Sequence, residues 1–274
     1  MGWLCNFSQF CILDGHGQNG HYISEICKLF LQNYYNNSFL YYFPRFCSDK
    51  PVSSLNAYVS SSDIYKKLVN NNYDLIRKGF QALETKIKKS EYEKDFSGTT
   101  ACQVFITDNK IICANIGDSR AIMIKKRNKI VTLSNDHKPS MISERNRIEF
   151  LGGEIKQTEN KKGPLRIWVK GKKYPGLAMS RSLGDFVAKD IGVISEPEIK
   201  EFEKDEDTLG IIIASDGVWD NLSNERVRDI FIQFYSKGNE NLISEEIEKE
   251  SRKLFLEKKE NVDDISVIVV YLKS

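Results

Sequence analysis

Apolar positions in this chain follow two periods, and the switches between them mark out its elements. Phe10-Cys11-Ile12-Leu13 is a continuous apolar run that predicts a buried strand, ended abruptly by Asp14-Gly15-His16-Gly17. Beyond that turn Tyr22, Ile23, Ile26, Phe30 and Tyr34 recur at helical spacing, which predicts an amphipathic helix over 20–35. Residues 36–62 are rich in Asn, Ser and Tyr with two prolines and read as a loop or insertion. A second helix follows, with Ile76, Phe80, Leu83 and Ile87 on one face and lysines on the solvated side.

From Ser97 the period shortens. Thr100 to Thr107, Lys110 to Ile116 and Arg120 to Lys125 predict an antiparallel meander, turning at Asp108-Asn109 and at Gly117-Asp118-Ser119. The polar loop 134–139 precedes a helix carrying Ile142, Arg145, Ile148 and Leu151, which Gly152-Gly153 stops. Residues 156–176, basic and Gly-rich, are expected to form a mobile flap. In the segment Leu177 to Asp185, Arg181 and Asp185 are spaced to pair on one helical turn.

Leu209 to Ala214 is another continuous apolar strand, and Ser215-Asp216-Gly217 ends it as Asp14-Gly15 ends the first. Asp220 lies one helical turn on, helices are predicted over 223–236 and 241–257, and Val262-Asp263-Asp264 leads into a strand over 265–272. No repeat or linker divides the chain, so residues 1–274 are expected to be one domain with a sizeable core.

Charge is nearly balanced, with 40 Lys and Arg against 38 Asp and Glu, so neither nucleic acid nor an anionic membrane is an expected partner. No apolar run reaches the length of a membrane span, and the first residues lack the basic region of a secretory signal. Met1-Gly2 invites myristoylation, but Asn6 stands where Ser or Thr is required. Cys5, Cys11, Cys27, Cys47, Cys102 and Cys113 include no C-x-x-C pair, and several lie in apolar runs. Buried, reduced thiols in a monomeric cytoplasmic protein are the expectation, with the nucleus left open as a compartment.

The candidate chemistry gathers at strand ends. Glycines in Asp14-Gly15-His16-Gly17 let backbone approach a ligand, Asp14 and the Gly15 carbonyl offer oxygens to a hard cation, and His16 can donate a proton near neutral pH. Gly15 to Gly20 also matches the dinucleotide pattern G-x-G-x-x-G. That reading requires an acid about twenty residues on, and the stretch Tyr34 to Phe46 has none. A tight strand-to-helix turn explains those glycines better. His137, beside Asp136 in a polar turn, reads as a surface or capping residue rather than a catalytic one. Asp14, Asp118, Asp216 and Asp263 each sit at a strand edge. Carboxylates brought together repel unless cations neutralise them, and oxygen ligands select Mg²⁺ or Mn²⁺ over zinc. The set suggests a two-metal hydrolase.

These residues carry a resemblance. Asp14 to Gly17, Ser97 to Ala101, Ala114 to Arg120, Asp136 to Pro139, Leu177 to Asp185, Ala214 to Asp220 and Asp263 to Ser266 occur in the order found in the PPM family, the metal-dependent type 2C serine/threonine protein phosphatases. The resemblance implies an α+β fold, a four-layer α-β-β-α sandwich of two stacked antiparallel sheets flanked by helices. It implies two Mg²⁺ or Mn²⁺ ions, with a weaker third, acting on phosphorylated proteins. Asp14 would bridge two metals, the Gly15 carbonyl would join one of them, and Asp216 and Asp263 would complete the other. Asp118 and Asp220 match the third-metal positions, and His16 matches the general acid. A metal-activated water would attack phosphorus in line, with no phosphoenzyme.

The match is incomplete. Members of the family usually carry an earlier strand with a phosphate-binding Arg and a metal-ligating Glu, and Met1 to Leu13 contains no Arg, Glu or Asp. Gln18 replaces a common glycine, and Asp264 stands where Asn is usual. Weaker metal and substrate binding is expected, in a truncated enzyme or a degraded member. The alternative function is a pseudophosphatase that binds phosphoproteins without turnover.

Overall fold

The structure is a computed structural model that describes residues 7–35, 61–158, 163–258 and 261–272, with the backbone alone at 40–41 and 61–63. The chain begins with β1 (Ser8–Ile12), β2 (Gly15–His16), α1 (Gly20–Tyr34), β3 (Leu40–Tyr41), α2 (Ser61–Val69) and α3 (Asp74–Lys88). Next come β4 (Gly98–Thr99), β5 (Ala101–Ile106), β6 (Lys110–Ile116), β7 (Arg120–Lys125), β8 (Lys129–Thr132), α4 (Ile142–Phe150), β9 (Gly153–Lys156), β10 (Arg166–Val169) and β11 (Pro175–Leu177). The last part holds β12 (Leu183–Gly184), α5 (Phe186–Lys189), β13 (Glu198–Glu203), β14 (Thr208–Ala214), α6 (Asp216–Trp219), α7 (Asn224–Tyr235), α8 (Ile243–Lys258) and β15 (Val267–Tyr271).

Two sheets form the centre, one ordered β13-β6-β5-β1-β3 and the other β15-β14-β7-β8. Their central strands β5, β6, β7 and β14 are buried on both faces, and the alternation along each decides which layer a residue joins. Ile111 and Cys113 of β6, Ala121 and Met123 of β7, and Ile211 and Ile213 of β14 meet between the sheets. Their neighbours Ile112 and Ala114 turn outward onto α1, α2 and α3. Ile122, Ile124, Ile212 and Ala214 turn the other way, onto α6, α7 and α8. The result is the expected α-β-β-α sandwich. Those central strands are packed on both faces, which is why they read as nearly unbroken apolar runs, while the edge strand β13 alternates charged and apolar residues.

Three expectations need correction here. β5 and β6 pair antiparallel, but β7 pairs with β14 and β8 in the other sheet, so the 100–125 segment is no three-stranded meander. The Gly117-Asp118-Ser119 turn crosses between sheets, which sets Asp118 at their common edge. The 156–176 flap carries strands of its own: β9, β10 and β11 form a separate sheet over a small core of Ile148, Ile167, Leu177 and Val193. Arg181 and Asp185 do not pair on a helix. Arg181 binds Glu144 at 2.8 Å, and Asp185 turns to His16.

Of the 36–62 insertion, only β3, paired parallel to β1, and the start of α2 are described; the rest lies outside the described residues. Cys11, Cys27, Cys102 and Cys113 are buried free thiols, as expected, while Cys5 and Cys47 lie outside the described residues. Among the described residues no helix is long and apolar enough to cross a membrane.

Candidate active site

The strand ends β1 and β14 open on the same side of the sandwich, and hydrogen bonds to residues distant in the chain hold each in place. Asp14 N donates to Thr100 Oγ1 (3.1 Å), Thr100 N donates to Asp14 O (2.9 Å), and Thr100 Oγ1 shares a proton with Ser119 Oγ at 2.7 Å. One threonine thereby ties the Asp14 turn to the turn that carries Asp118. Ser215 does the same on the other sheet. Its Oγ accepts from Ser266 N (3.0 Å) and donates to Asp264 O (3.0 Å), which binds the Asp216 turn to the segment after Asp263. Gly15 is a close-approach residue, since a Cβ there would lie 2.4 Å from Gly20 O at the start of α1.

The carboxylates of Asp14, Asp118, Asp216 and Asp263 lie within electrostatic reach of one another. Burial, then the charge of Asp216 and a hydrogen bond with it, then Asp263 and Asp118, hold the Asp14 carboxyl well above the ordinary carboxylate range. Burial, then Asp118 and Asp263, push Asp216 up to about 7, although Lys138 opposes this. Asp263 itself is exposed, and its Oδ1 accepts from Asp264 N at 2.8 Å. Asp118 is fully buried; its Oδ2 accepts from Lys138 Nζ at 2.6 Å, and its Oδ1 has no protein partner. Asp220 is more than half exposed and lies 3.9 Å from the same ammonium, and partial desolvation among the neighbouring acids raises its pKa against the pull of Lys138. A lysine between two acids is an internal counter-ion that the sequence reading did not single out.

His16 stands beside this cluster on β2. Its Nε2 lies 2.6 Å from Asp185 Oδ2, and its Nδ1 is buried with no protein partner. Burial works against a charged ring, but the Asp185 carboxylate outweighs it and leaves the imidazole pKa above its ordinary value. Asp185 is 1% exposed and sits at φ +51°, a left-handed backbone that non-glycine residues seldom adopt. Gly98 makes the space: a Cβ on it would fall 2.3 Å from Asp185 Oδ2. β4 is the middle strand here, with Gly98 opposite both His16 of β2 and Gly184 of β12.

His137 corrects the expectation of a surface residue. It is 1% exposed, its Nδ1 accepts from Gly117 N at 3.1 Å, and its carbonyl accepts from Ser180 N at 2.7 Å. The ring braces the turn before Asp118 from beneath. Nothing in a polar hexapeptide could have shown that the core reaches this loop.

Compared with known proteins, the description "Protein phosphatase 2C" matches residues 6–259. The chain belongs to the protein phosphatase 2C family. "Probable protein phosphatase 2C 61" of Arabidopsis thaliana is 37% identical over 193 residues, covering 68% of this chain and 58% of that protein. "Probable protein phosphatase 2C 72" of the same plant is 27% identical and covers 100% of this chain and 79% of that one. The chain spans about three fifths of the length of the first of these relatives. A serine-threonine phosphatase 2C from Toxoplasma gondii shares the fold with a TM-score of 0.71 at 20% identity, over 97% of this chain and 85% of that one. A Mycobacterium tuberculosis serine/threonine phosphatase does so at 0.57 and 16%, over 96% and 88%.

A protein phosphatase 2C site implies divalent metals, and the residues here fit them in chemistry. All the donors are oxygens, the Asp14 and Asp216 carboxyls are held up by burial and by neighbouring carboxylates, and Asp118 Oδ1 is buried without a partner. The carboxylates crowd one another without closing a cage. Among the described residues no three His, Cys, Asp or Glu side chains stand ready to enclose one ion.

Proposed function

We propose that this chain hydrolyses phosphoserine and phosphothreonine esters in proteins. The observation that carries the reading is that Asp14, Asp216, Asp263 and Asp118 lie near enough at one edge of the sandwich for the other three to raise the proton affinity of Asp14, and for Asp118 and Asp263 to raise that of Asp216. Asp14 with the Gly15 carbonyl, Asp216 and Asp263 would hold two Mg²⁺ or Mn²⁺ ions, and Asp118 and Asp220 a weaker third. When bound, the cations supply Lewis-acid charge and an activated water.

The chain's own residues supply the rest. Thr100 and Ser215 fix the backbone at the strand ends from which Asp14 and Asp216 project. His16 would protonate the departing serine or threonine oxygen. Its Nε2 is engaged by Asp185, which leaves Nδ1 as the ring nitrogen without a protein partner and the one to hold that proton. Lys138 balances part of the negative charge around Asp118.

Phosphate release from a phosphothreonine peptide in Mn²⁺, with Asp216→Asn as control, tests this function. Release by the natural sequence and none by the variant is the expected result. No release at any Mn²⁺ concentration would overturn it in favour of a phosphoprotein-binding module without turnover.

A further inference from the structure

The turn that presents Asp185 is held by a second pair of opposite charges, which the proposed chemistry does not use. Lys189 of α5 and Glu84 of α3 meet at 3.3 Å, with 17% and 16% of their side chains exposed. Burial pushes the Glu84 carboxyl up and the Lys189 ammonium down, and the charge of each opposes the shift of the other. An ion pair so desolvated returns little net stability, and apolar side chains of similar volume would hold the fold as well.

The contacts of the pair point to a different use. Glu84 Oε2 accepts from Gly184 N at 3.1 Å while its Oε1 faces Lys189. Lys189 Nζ donates to Ser182 O, and Lys189 N donates to Asp185 O at 3.2 Å. Gly184 and Asp185 are successive left-handed residues, at φ +82° and +51°. A left-handed aspartate persists only where its surroundings over-determine it. Glu84 reaches the turn from a rigid base, because Phe80, Leu83 and Ile87 of the same helix are fully buried. On the other side of the turn Ser97 O accepts from Asp185 N at 3.0 Å, and Asp185 Oδ2 meets His16 Nε2 at 2.6 Å. Direct contacts therefore run without a gap from α3 to the imidazole.

We infer that Glu84 and Lys189 are positioning residues for the reaction, locking the Gly184-Asp185 turn so that the Asp185 carboxylate holds the His16 ring in one orientation. The inference rests on the proposed phosphatase reading for the use made of His16. A misplacement of about 1 Å can cost about a hundredfold in rate, so a proton donor repays firm anchoring. A tie that served the fold alone would matter equally to every substrate. A tie that serves His16 matters most where the leaving oxygen needs its proton.

The test removes both charges and both side-chain contacts together in Glu84→Met/Lys189→Met, which is expected to melt close to the natural sequence. With Mn²⁺ this variant should lower kcat on a phosphothreonine peptide about tenfold, and on p-nitrophenyl phosphate by much less. Glu84→Gln/Lys189→Gln restores hydrogen-bonding groups without charge and should recover most of the loss. Should the methionine pair unfold, Lys189→Met, which leaves Glu84 on Gly184 N, carries the same comparison with about a threefold loss. A second readout needs no turnover. The His16 Nε2 proton, assigned in NMR spectra by its disappearance in His16→Gln, should exchange with water about tenfold faster in the methionine pair than in the natural sequence. Equal losses on the two substrates, or an unchanged Nε2 proton, would overturn the inference and leave the phosphatase reading standing. Absence of phosphate release by the natural sequence would overturn the phosphatase reading, and the Nε2 proton would then decide alone whether Glu84 and Lys189 hold the ring.

Discussion

His16 Nε2 and Asp185 Oδ2 are 2.6 Å apart although 169 positions separate them in the chain. The contact fixes the ring's orientation and settles which nitrogen is free, as a buried carboxylate does wherever a histidine must present one nitrogen to a reaction. Asp185→Asn should therefore slow phosphothreonine peptide hydrolysis on the order of a hundredfold, with a much smaller effect on p-nitrophenyl phosphate, whose leaving group needs little protonation. Steady-state kcat on the two substrates checks this. Equal losses on both would mean that Asp185 serves the fold alone.

Gly98 has no room for a side chain. A Cβ there would meet Asp185 Oδ2 at 2.3 Å and Leu183 O at 2.6 Å. Gly98→Ala should destabilise by about 1–3 kcal/mol through overpacking and should also push Asp185 off His16. Urea denaturation and kcat together report the two effects. A variant with natural activity would show that the β2-β4-β12 sheet yields more easily than its contacts imply.

Asp216 binds its proton more tightly in the folded chain than in the unfolded one, with its folded pKa at about 7 against an ordinary 3.8. Between those values the folded state keeps a proton that the unfolded chain has released. The contribution of Asp216 to metal-free stability should therefore be greatest below the lower value and be lost as pH rises through the upper one. Asp216→Asn removes one repelling charge, so without metal at pH 8 it should be more stable than the natural sequence by about 1–3 kcal/mol. Addition of Mn²⁺ should reverse the order. Melting curves with and without EDTA measure both, and a variant less stable in EDTA would contradict the repulsion.

His137 has the opposite sign. Burial, then the nearby Arg181 charge, lowers its pKa from 6.5 to about 3. Below about 6.5 the unfolded chain gains a proton that the folded ring refuses, so this residue costs stability as pH falls, by at most about 1.4 kcal/mol per pH unit. His137→Asn keeps an acceptor for Gly117 N and removes the titration. Its urea stability should be lower at pH 8 but flatter down to about pH 5 than that of the natural sequence, since the Asp216 titration is common to both proteins. Parallel pH profiles for the two proteins would sink the assignment.

Much of the architecture was legible before the structure. Strand ends at Asp14 and Asp216 could be read because an unbroken apolar run followed by Asp-Gly is a local pattern, set by burial on both faces of a sheet. The helices over 20–35 and around Ile76 to Ile87 were legible for the same reason, since their periodicity records which face meets the core. The placement of β7 was not. Adjacent short strands with tight turns look alike whether they pair with each other or cross between sheets.

What residues 7–272 determined by themselves were the elements and the chemical types at their ends: oxygen donors at Asp14, Asp118, Asp216 and Asp263, and a histidine two residues after the first. Tertiary structure alone decided the pairings. It set Asp185 on His16 rather than on Arg181, drew Lys138 onto Asp118, and buried His137 beneath the turn that holds that acid. The reason is physical: periodicity records which side of an element faces the interior, while a hydrogen bond between distant residues depends on how two sheets and a third small one come to rest against each other.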